Sequence, residues 1–400
     1  MTGLRFVNAR IVCPVGGIRD GELLVEGERI VDALSGEAET IDCRGKTLAP
    51  AIIDFGAFAV DQASCRRGGI ARVALMPDQS PVLDDPGIIR RAATMGKPVL
   101  WVHPLAAATK GLLGHDLAEM AIAASAGAKA VATGRTWIAD AALMRKTLAY
   151  ARDCGLTVVA HAEDGGLTDG AVATDGLTAT LLGLASAPPV AEALAIARDL
   201  MLAEDTGASL HIRQVTTAAG LDLIRAAKRR GVRVTCGITP AHLLLSDIAM
   251  SDFRTFAHLS PPLRCEDDRR ACIAALGDGT IDVLASGHDP RGPEEKRLPF
   301  ADSAPGAAGA TTLLALALGL ADSAQIDHAR LFTLLAANPA KVLGLDAGTL
   351  EIGKPADLVL FDPGTPWQID TDVDGNTPFD GLPAQGKVLK LFKGGTEIRG

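Results

Sequence analysis

The segment that decides the fold is Ser209-Leu-His-Ile-Arg-Gln-Val215, followed by residues 218–230 and by Arg233-Val-Thr-Cys-Gly-Ile238. The first and last parts are short runs of mainly apolar and β-branched residues, which predict buried strands. Residues 218–230 carry apolar side chains at helical spacing and therefore predict an amphipathic helix. A strand, a helix and a second strand in this order indicate two parallel strands joined by a helical crossover.

The same alternation continues on both sides of this segment. Strands are predicted at residues 51–55, 72–76, 99–103, 128–133, 156–161, 209–215, 233–238 and 282–286. Amphipathic helices are predicted between most of them, at residues 116–126, 139–154, 190–206 and 218–230. Eight parallel strands with intervening helices over roughly 290 residues predict an α/β fold, a (β/α)8 TIM barrel, whose chemistry lies at the C-terminal ends of the strands.

Short strands separated by glycine turns mark the two ends of the chain. They are predicted at residues 4–13, 21–25, 29–33 and 47–50, and again at residues 348–353, 357–362 and 387–393. Two β-rich ends around one long middle indicate a single small sheet domain built from both termini. We therefore predict a composite β-sandwich-like domain from residues 1–49 plus 345–400, and a barrel from residues 50–344.

The composition narrows the classes of partner. The 400 residues include 39 Lys and Arg against 48 Asp and Glu, a formal net charge of −9, which disfavours nucleic acid and anionic membranes. Aromatic residues make up only 4% of the chain, too few for stacking on single strands. No segment has the ~18 to 20 consecutive apolar residues that would span a bilayer. Small molecules and other proteins remain as partners.

The seven cysteines are scattered without any C-x-x-C spacing, and their number is odd. This pattern argues against a disulfide framework and against a cysteine zinc site. A reducing compartment fits it best, so we predict a cytoplasmic protein.

A series of phrases along the chain carries a resemblance to a known family. They are Leu48-Ala-Pro-Ala-Ile-Ile-Asp54, Leu75-Met-Pro77, Ala160-His-Ala-Glu-Asp164, Thr239-Pro-Ala-His-Leu-Leu-Leu245, Ser260-Pro-Pro-Leu-Arg264, Asn338-Pro-Ala340 and Gly353-Lys-Pro-Ala-Asp-Leu-Val-Leu-Phe361. In this order, over nearly the whole chain, the sequence resembles dihydroorotases of the amidohydrolase superfamily. The resemblance implies zinc-assisted opening or closing of a cyclic amide in pyrimidine synthesis.

The residues that the resemblance requires can be checked in turn, beginning with the first two strands. The family begins its metal site with Asp-x-His-x-His, and counting from Asp54 the two histidine positions are Gly56 and Phe58. The arginine that holds the substrate carboxylate in the family corresponds to Val60. The substrate-binding asparagine after Met-Pro corresponds to Asp78, whose ionised carboxylate would repel an anionic substrate.

The later strands show the same departures. Where the family supplies a bridging aspartate or carbamylated lysine, this chain has Thr133 and Gly134 before Arg135. His161 is the only residue that matches a family ligand position. The next ligand position is Gln214, and the position of the general-base aspartate is Gly287.

These departures predict that the family's reaction is lost. A bound divalent metal lowers the pKa of its water from ~15.7 to about 7, and a positioned base adds a further ~10²- to 10⁴-fold. One histidine cannot hold such a metal, so we expect no catalytic residue, no metal and no cofactor. Because some bacterial aspartate carbamoyltransferases assemble with noncatalytic chains of this kind, the resemblance implies a pseudoenzyme that acts as a structural subunit in an oligomer with the catalytic chain of that enzyme.

Two alternatives remain open. The chain could be an active dihydroorotase or related cyclic amidohydrolase with a rebuilt zinc site made from His161, Glu163, His288 and Asp289. It could also bind an unrelated small molecule in a pocket lined by Phe58, Asp78 and Arg135. We expect His211 and His242 to be structural, and Phe58 to fill the space that metals would occupy.

Overall fold

The computed structural model describes residues 3–399, apart from the side chain of Asp374, so Met1, Thr2 and Gly400 of the predicted terminal domain lie outside it. Its strands, numbered in chain order, are β1 (Gly3–Cys13), β2 (Gly17–Glu26), β3 (Arg29–Val31), β4 (Ala38–Asp42), β5 (Thr47–Pro50), β6 (Ile52–Ala57), β7 (Ile70–Leu75), β8 (Trp101–Ala107), β9 (Ala130–Ala132), β10 (Val158–Ala160), β11 (Ala173–Thr174), β12 (Ser186–Ala187), β13 (Leu210–Ile212), β14 (Val234–Ile238), β15 (Val283–Leu284), β16 (Leu358–Gln368), β17 (Pro383–Lys393) and β18 (Thr396–Glu397).

The helices are numbered in the same way. They are α1 (Gln62–Arg67), α2 (Pro86–Ala92), α3 (Met120–Ser125), α4 (Ala141–Asp153), α5 (Gly165–Thr168), α6 (Leu177–Leu182), α7 (Val190–Thr206), α8 (Ala218–Arg229), α9 (Pro240–Leu244), α10 (Glu266–Gly277), α11 (Pro293–Lys296), α12 (Leu313–Ser323), α13 (His328–Phe332), α14 (Asn338–Val342) and α15 (Thr371–Asp374). One π-helical turn, Thr333–Ala337, connects α13 to α14.

The barrel is a single parallel sheet. Its strand order is β6-β7-β8-β9-β10-β13-β14-β15, so each strand pairs with the next barrel strand along the chain. All eight strands predicted from the sequence are present, with boundaries shifted by a few residues. The α/β class and the barrel architecture are therefore confirmed.

Hydrogen bonds outside the regular strand pairing join the first strand of the sheet to the last. Asp54 on β6 accepts hydrogen bonds from the backbone N–H of Ser286 at 2.8 Å and from its hydroxyl at 2.6 Å. The backbone N–H of Phe58 donates to the carbonyl of His288 at 2.9 Å. Burial raises the pKa of Asp54, and the two bonds from Ser286 oppose that shift. These contacts hold the ends of β6 and β15 together at the barrel mouth.

Local sequence explains why the barrel helices begin and pack where they do. Asp140 caps α4 by accepting hydrogen bonds from the N–H groups of Ala142 and Leu143. The buried residues of α4 recur at helical spacing and face the sheet: Leu143, Met144, Thr147, Leu148 and Ala151. In α8, Thr217 caps the first turn, and the basic residues of the last turn complement the helix dipole.

The strands at the two ends of the chain form a second sheet. Its order is β18-β17-β16-β5-β1-β2-β3, and β4 pairs with β1. β16 lies antiparallel to β5, with Leu360 opposite Leu48, so N-terminal and C-terminal segments share one sheet. The predicted β-rich domain built from both termini is confirmed. Its boundaries at residues 49/50 and 344/345 stay a prediction.

One local prediction in this domain was wrong, and the strand β4 was not predicted. Residues 348–353 form no strand, because Gly348 and Gly353 both have positive φ, at 88° and 86°, which turns the chain at each end. Leu350 between them nevertheless packs into the core of the terminal sheet. β4 was not predicted, since only one of its five side chains, Ile41, is buried and its apolar signal is weak.

Two further sequence observations have counterparts in the structure. All seven cysteines are free thiols. Among residues 3–399, no helix is both long enough and apolar enough to cross a membrane. The apolar segment around residues 311–321 forms α12, most of which is buried against the barrel.

Candidate functional site at the barrel mouth

The C-terminal ends of the barrel strands form the mouth, and the first two family ligand positions lie there. Gly56 has a φ of 80°, and a Cβ added to it would lie 3.3 Å from Cδ of Arg213. The stem of Arg213 therefore occupies the space into which a side chain at position 56 would extend. A left-handed backbone also disfavours any residue other than glycine at this position.

Phe58 lies under two guanidinium groups. Its ring centroid is 3.7 Å from the guanidinium carbon of Arg135 and 5.0 Å from that of Arg213. The side chain is only 8% exposed and packs against barrel-interior residues that include Phe55 and Met76. Cation–π contact with a buried ring is worth roughly 1–2 kcal/mol. Phe58 thus supports two cations at a position where the family places a metal-binding imidazole.

Arg135 and Asp289 form a salt bridge across the mouth. Nη1 and Nη2 of Arg135 both donate to the carboxylate of Asp289, the second at 2.8 Å. Arg291 donates to the same carboxylate at 2.9 Å. The backbone N–H of Arg135 donates to Oδ1 of Asp78 at 3.0 Å, while Oδ2 of Asp78 has no hydrogen-bond partner among the described residues. Burial raises the pKa of Asp78, and the charge of Arg135 opposes that rise.

His161 lies beside a second group of charges. Its Nε2 is 3.4 Å from Oε2 of Glu163, and Nδ1 is 3.4 Å from Nη2 of Arg213. Arg264 donates to Glu163 at 2.8 Å. Burial alone would raise the pKa of Glu163, but the hydrogen bonds and charges of His161 and Arg264 lower it to about 2. Glu163 is therefore an ionised carboxylate committed to these two neighbours.

Glu192 is a buried carboxylate near Glu163 that accepts several hydrogen bonds. Glu192 accepts hydrogen bonds from the backbone N–H and the hydroxyl of both Thr216 and Thr217. Arg264 donates to Thr216 at 2.9 Å and lies 3.4 Å from Glu192. We call Glu163, Glu192 and Arg264 the inner cluster, and Arg135, Asp289, Arg291, Asp78 and Arg213 the mouth cluster.

The remaining predicted positions carry no metal-binding side chain in a suitable place. Gly287 has a φ of 64°, and a Cβ there would lie 2.8 Å from Cγ2 of Thr239. Gln214 is 8% exposed, and its Oε1 has no hydrogen-bond partner among the described residues. Val60 is half-buried and packs against neighbouring apolar side chains. None of these three groups is a ligand that zinc prefers.

The other histidines near the mouth are held as neutral, structural groups. Nδ1 of His211 lies 2.8 Å from the hydroxyl of Thr235, and burial lowers the pKa of His211 to about 3. His242 bonds to Thr239 at 2.8 Å and to the Pro261 carbonyl at 3.0 Å, and burial lowers its pKa to about 4. Both therefore stay uncharged at neutral pH.

The four residues of the rebuilt-site alternative are not gathered into a ligand set. Glu163 is bonded to Arg264, and Asp289 to Arg135 and Arg291. Nδ1 of His288 accepts from the backbone N–H groups of residues 309 and 310, both at 3.3 Å. Throughout residues 3–399, no three His, Cys, Asp or Glu side chains are grouped so that they could hold a metal ion. The residues present do not fit the zinc that the fold family implies.

The open space at the mouth is small. A cavity of about 50 Å³ lies between Phe58, Arg213, Gln214, Gly287 and the neighbouring loops. Binding pockets for metabolite-sized ligands are on the order of 300–1,000 Å³. The cavity can hold water molecules or a small ion, and it is well below the usual size of a pocket for a ring compound.

Comparison with known proteins identifies the family. A dihydroorotase of Syntrophotalea carbinolica is 37% identical over 407 aligned residues, which cover 96% of this chain and 95% of the relative. A dihydroorotase of Ruminiclostridium cellulolyticum is 35% identical over 398 residues, covering 95% and 92%. A model of the amidohydrolase family matches residues 116–398. This chain belongs to the dihydroorotase family of amidohydrolases.

Solved structures support the same fold. An L-hydantoinase from Arthrobacter aurescens superposes with a TM-score of 0.88 at 23% identity, covering 100% of this chain and 96% of the other. A dihydropyrimidinase from Brevibacillus agri gives a TM-score of 0.85 at 22% identity, covering 99% and 95%. The resemblance read from the sequence is thus confirmed at the level of the dihydroorotase family and its fold.

Sequence reasoning missed two residues that shape the site, Arg213 and Arg264. A signal for Arg213 was present, because the period of two along a strand places residues 211 and 213 on the same face. His211 contacts Phe55 in the barrel interior, so a charged residue at 213 also has to lie inward. Arg264 ends the phrase Ser260-Pro-Pro-Leu-Arg264, which carries the resemblance, but its place beside Glu163 and Glu192 is set by the tertiary fold.

Proposed function

We propose that this member of the dihydroorotase family is a noncatalytic structural subunit that assembles with the catalytic chain of aspartate carbamoyltransferase in the cytoplasm, as part of pyrimidine biosynthesis. The observation that carries the proposal is the mouth cluster. Arginines and a phenylalanine occupy the place where the family positions metal donors, and Asp289 is bonded to two of those arginines. In this proposal the chain carries no resident zinc.

Electrostatics supports the loss of activity. A divalent cation beside Arg213 and Arg135 would face two fixed positive charges in a buried region, where repulsion is poorly screened. Asp289 could bind a metal only after giving up its hydrogen bonds to Arg135 and Arg291. Gly287 offers no carboxylate to act as general base. The proposal therefore rests on both missing donors and competing cations.

The association half of the proposal is supported by exposed apolar side chains. Consecutive helices α5, α6 and α7 present Leu167, Leu177, Leu181, Val190 and Leu194 to solvent, with exposed fractions between 41% and 76%. Scattered single exposed apolar residues are ordinary, but five within 28 residues of the chain favour a protein contact. The partner itself is named from the resemblance alone.

Co-expression with the aspartate carbamoyltransferase of the same organism tests this function. We expect the two chains to co-elute in size-exclusion chromatography. Leu181→Asp, on α6, should weaken co-elution, whereas Leu389→Asp, on the terminal sheet, serves as the matched control. Separate elution at micromolar concentrations, with unchanged transferase activity, would defeat the proposal.

An active dihydroorotase with a rebuilt metal site is the second candidate. It is favoured by the relatives at 35% and 37% identity that are named dihydroorotase. Purification without chelators, followed by metal analysis and a dihydroorotate assay with added zinc, separates the two. Stoichiometric zinc together with turnover would establish the second candidate, and the absence of both would support the first.

A further inference from the structure

Arg213 is a buried cation without a carboxylate partner. Its side chain is 5% exposed, and no Asp or Glu oxygen lies within 4.0 Å of its guanidinium in the described chain. Its one hydrogen-bond contact is with Nδ1 of His161 at 3.4 Å, and its Nε has no acceptor among the described residues. A buried charge that is not paired is costly, so such a group usually has a counter-ion.

The carboxylates nearest to Arg213 are all bonded to other arginines. Asp289 receives hydrogen bonds from Arg135 and Arg291. Glu163 receives one from Arg264, and Asp78 accepts from the backbone of Arg135. These carboxylates act on Arg213 only at longer range, and burial still lowers the pKa of Arg213 to about 10. Among the described residues, none of these carboxylates contacts the guanidinium of Arg213 directly.

The small cavity of the mouth lies against this cation. Arg213, Gln214 and Asp289 all line it. Asp289 is already bonded to Arg135 and Arg291, and the amide oxygen of Gln214, an acceptor, has no partner among the described residues. The amide nitrogen of Gln214 lies toward Gly287, since a Cβ at that glycine would be 3.9 Å away. The cavity thus offers a guanidinium and an amide, both hydrogen-bond donors, in a volume of about 50 Å³.

We propose that this cavity binds a small monovalent inorganic anion, of the size of chloride or bicarbonate, with Arg213 and Gln214 as its donors. The small volume favours an inorganic anion over bulky organic ones. The anion would give the guanidinium of Arg213 a direct partner of opposite charge. The proposal does not depend on the proposed function, because it concerns the charge of Arg213 and not the partner of the chain.

Thermal unfolding of the full chain at constant ionic strength tests the site. Gluconate, a bulky organic anion, is replaced stepwise by chloride in one series and by bicarbonate in another. We expect a saturable rise of about 2 °C in the melting temperature for at least one of the two small anions. A response to chloride alone identifies a halide site, and a response to bicarbonate alone identifies an oxyanion site. No saturable response to either anion would overturn the proposal.

Two variants locate the effect. Arg213→Met removes the cation, and Gln214→Leu removes the amide donor while keeping Arg213, so both should weaken or lose the anion response. If one of them does not fold, the other still tests the site. Arg145→Met, in an exposed salt bridge with Asp205, is the control and should respond like the wild type. In crystals soaked in bromide, an anomalous peak beside Arg213 is expected. An unchanged response in the folded variants, or bromide peaks only elsewhere, contradicts the assignment.

Discussion

The inner cluster and the mouth cluster lie side by side, yet their hydrogen bonding differs. In the inner cluster, Glu192 has four donors from two threonines and Arg264 reaches both carboxylates. In the mouth cluster, Asp78, Arg213 and the adjacent Gln214 each retain a buried polar atom without a partner. The difference indicates that the inner cluster stabilises the fold, whereas the mouth cluster leaves buried polar atoms available to a ligand or to water.

The largest expected effect comes from breaking the inner cluster. Arg264→Met leaves Glu163 and Glu192 buried without their shared cation, which should lower the free energy of unfolding by roughly 3–5 kcal/mol. Urea denaturation measures it. Arg145→Met removes an exposed pair and should cost no more than about 1 kcal/mol. Equal losses in the two variants would show that the inner cluster has no special role.

The second-largest effect is expected from acid, which should reduce the contribution of the inner cluster to the free energy of unfolding. The folded-state pKa of Glu163 is about 2, below its ordinary 4.5, so its contribution to stability is complete above pH 4.5 and is lost as the pH falls toward 2. Glu163→Gln should therefore be less stable than the wild type by roughly 2–3 kcal/mol at pH 7. The difference should shrink between pH 4.5 and 2. Urea midpoints across this range provide the measurement, and a gap independent of pH would contradict it.

A moderate loss of stability is expected when a side chain is added at Gly287 in the mouth. Gly287→Ala places a Cβ 2.8 Å from Cγ2 of Thr239 and puts alanine at a φ of 64°, so we expect a loss of about 2 kcal/mol. Adding Thr239→Ser removes the clash and should recover part of this loss. Gly319→Ala, with open space in α12, is the control and should be neutral or slightly stabilising. Full stability of Gly287→Ala would contradict the steric argument.

The smallest effect is expected from the unpaired cation. In gluconate, Arg213→Met should change the free energy of unfolding by less than about 1 kcal/mol, because the variant removes a buried charge that has no carboxylate partner. Measuring Arg213→Met together with Arg264→Met compares the mouth cluster with the inner cluster directly. A loss of several kcal/mol in Arg213→Met would mean that the mouth cluster stabilises the fold as the inner cluster does.

Sequence patterns predicted the barrel because each strand and helix carries its own apolar periodicity. They also placed Gly56, Phe58, Gln214 and Gly287 at the mouth by counting from neighbouring motifs. They could not predict the Arg135–Asp289 salt bridge, which joins residues 154 apart along the chain. Nor could they predict that the stem of Arg213 occupies the space beside Gly56, since this depends on how β6 and β13 face each other.

By itself, the sequence determined the order of strands and helices and which residues stand at the family's ligand positions. Both follow from the identity and spacing of residues, which are local properties of the chain. Only the tertiary structure decided what fills the mouth, which carboxylates are bonded to which arginines, and that Arg213 contacts no carboxylate among the described residues. Those outcomes depend on burial and on distances between separate strand ends, and the charge interactions they set are strong only where water is excluded.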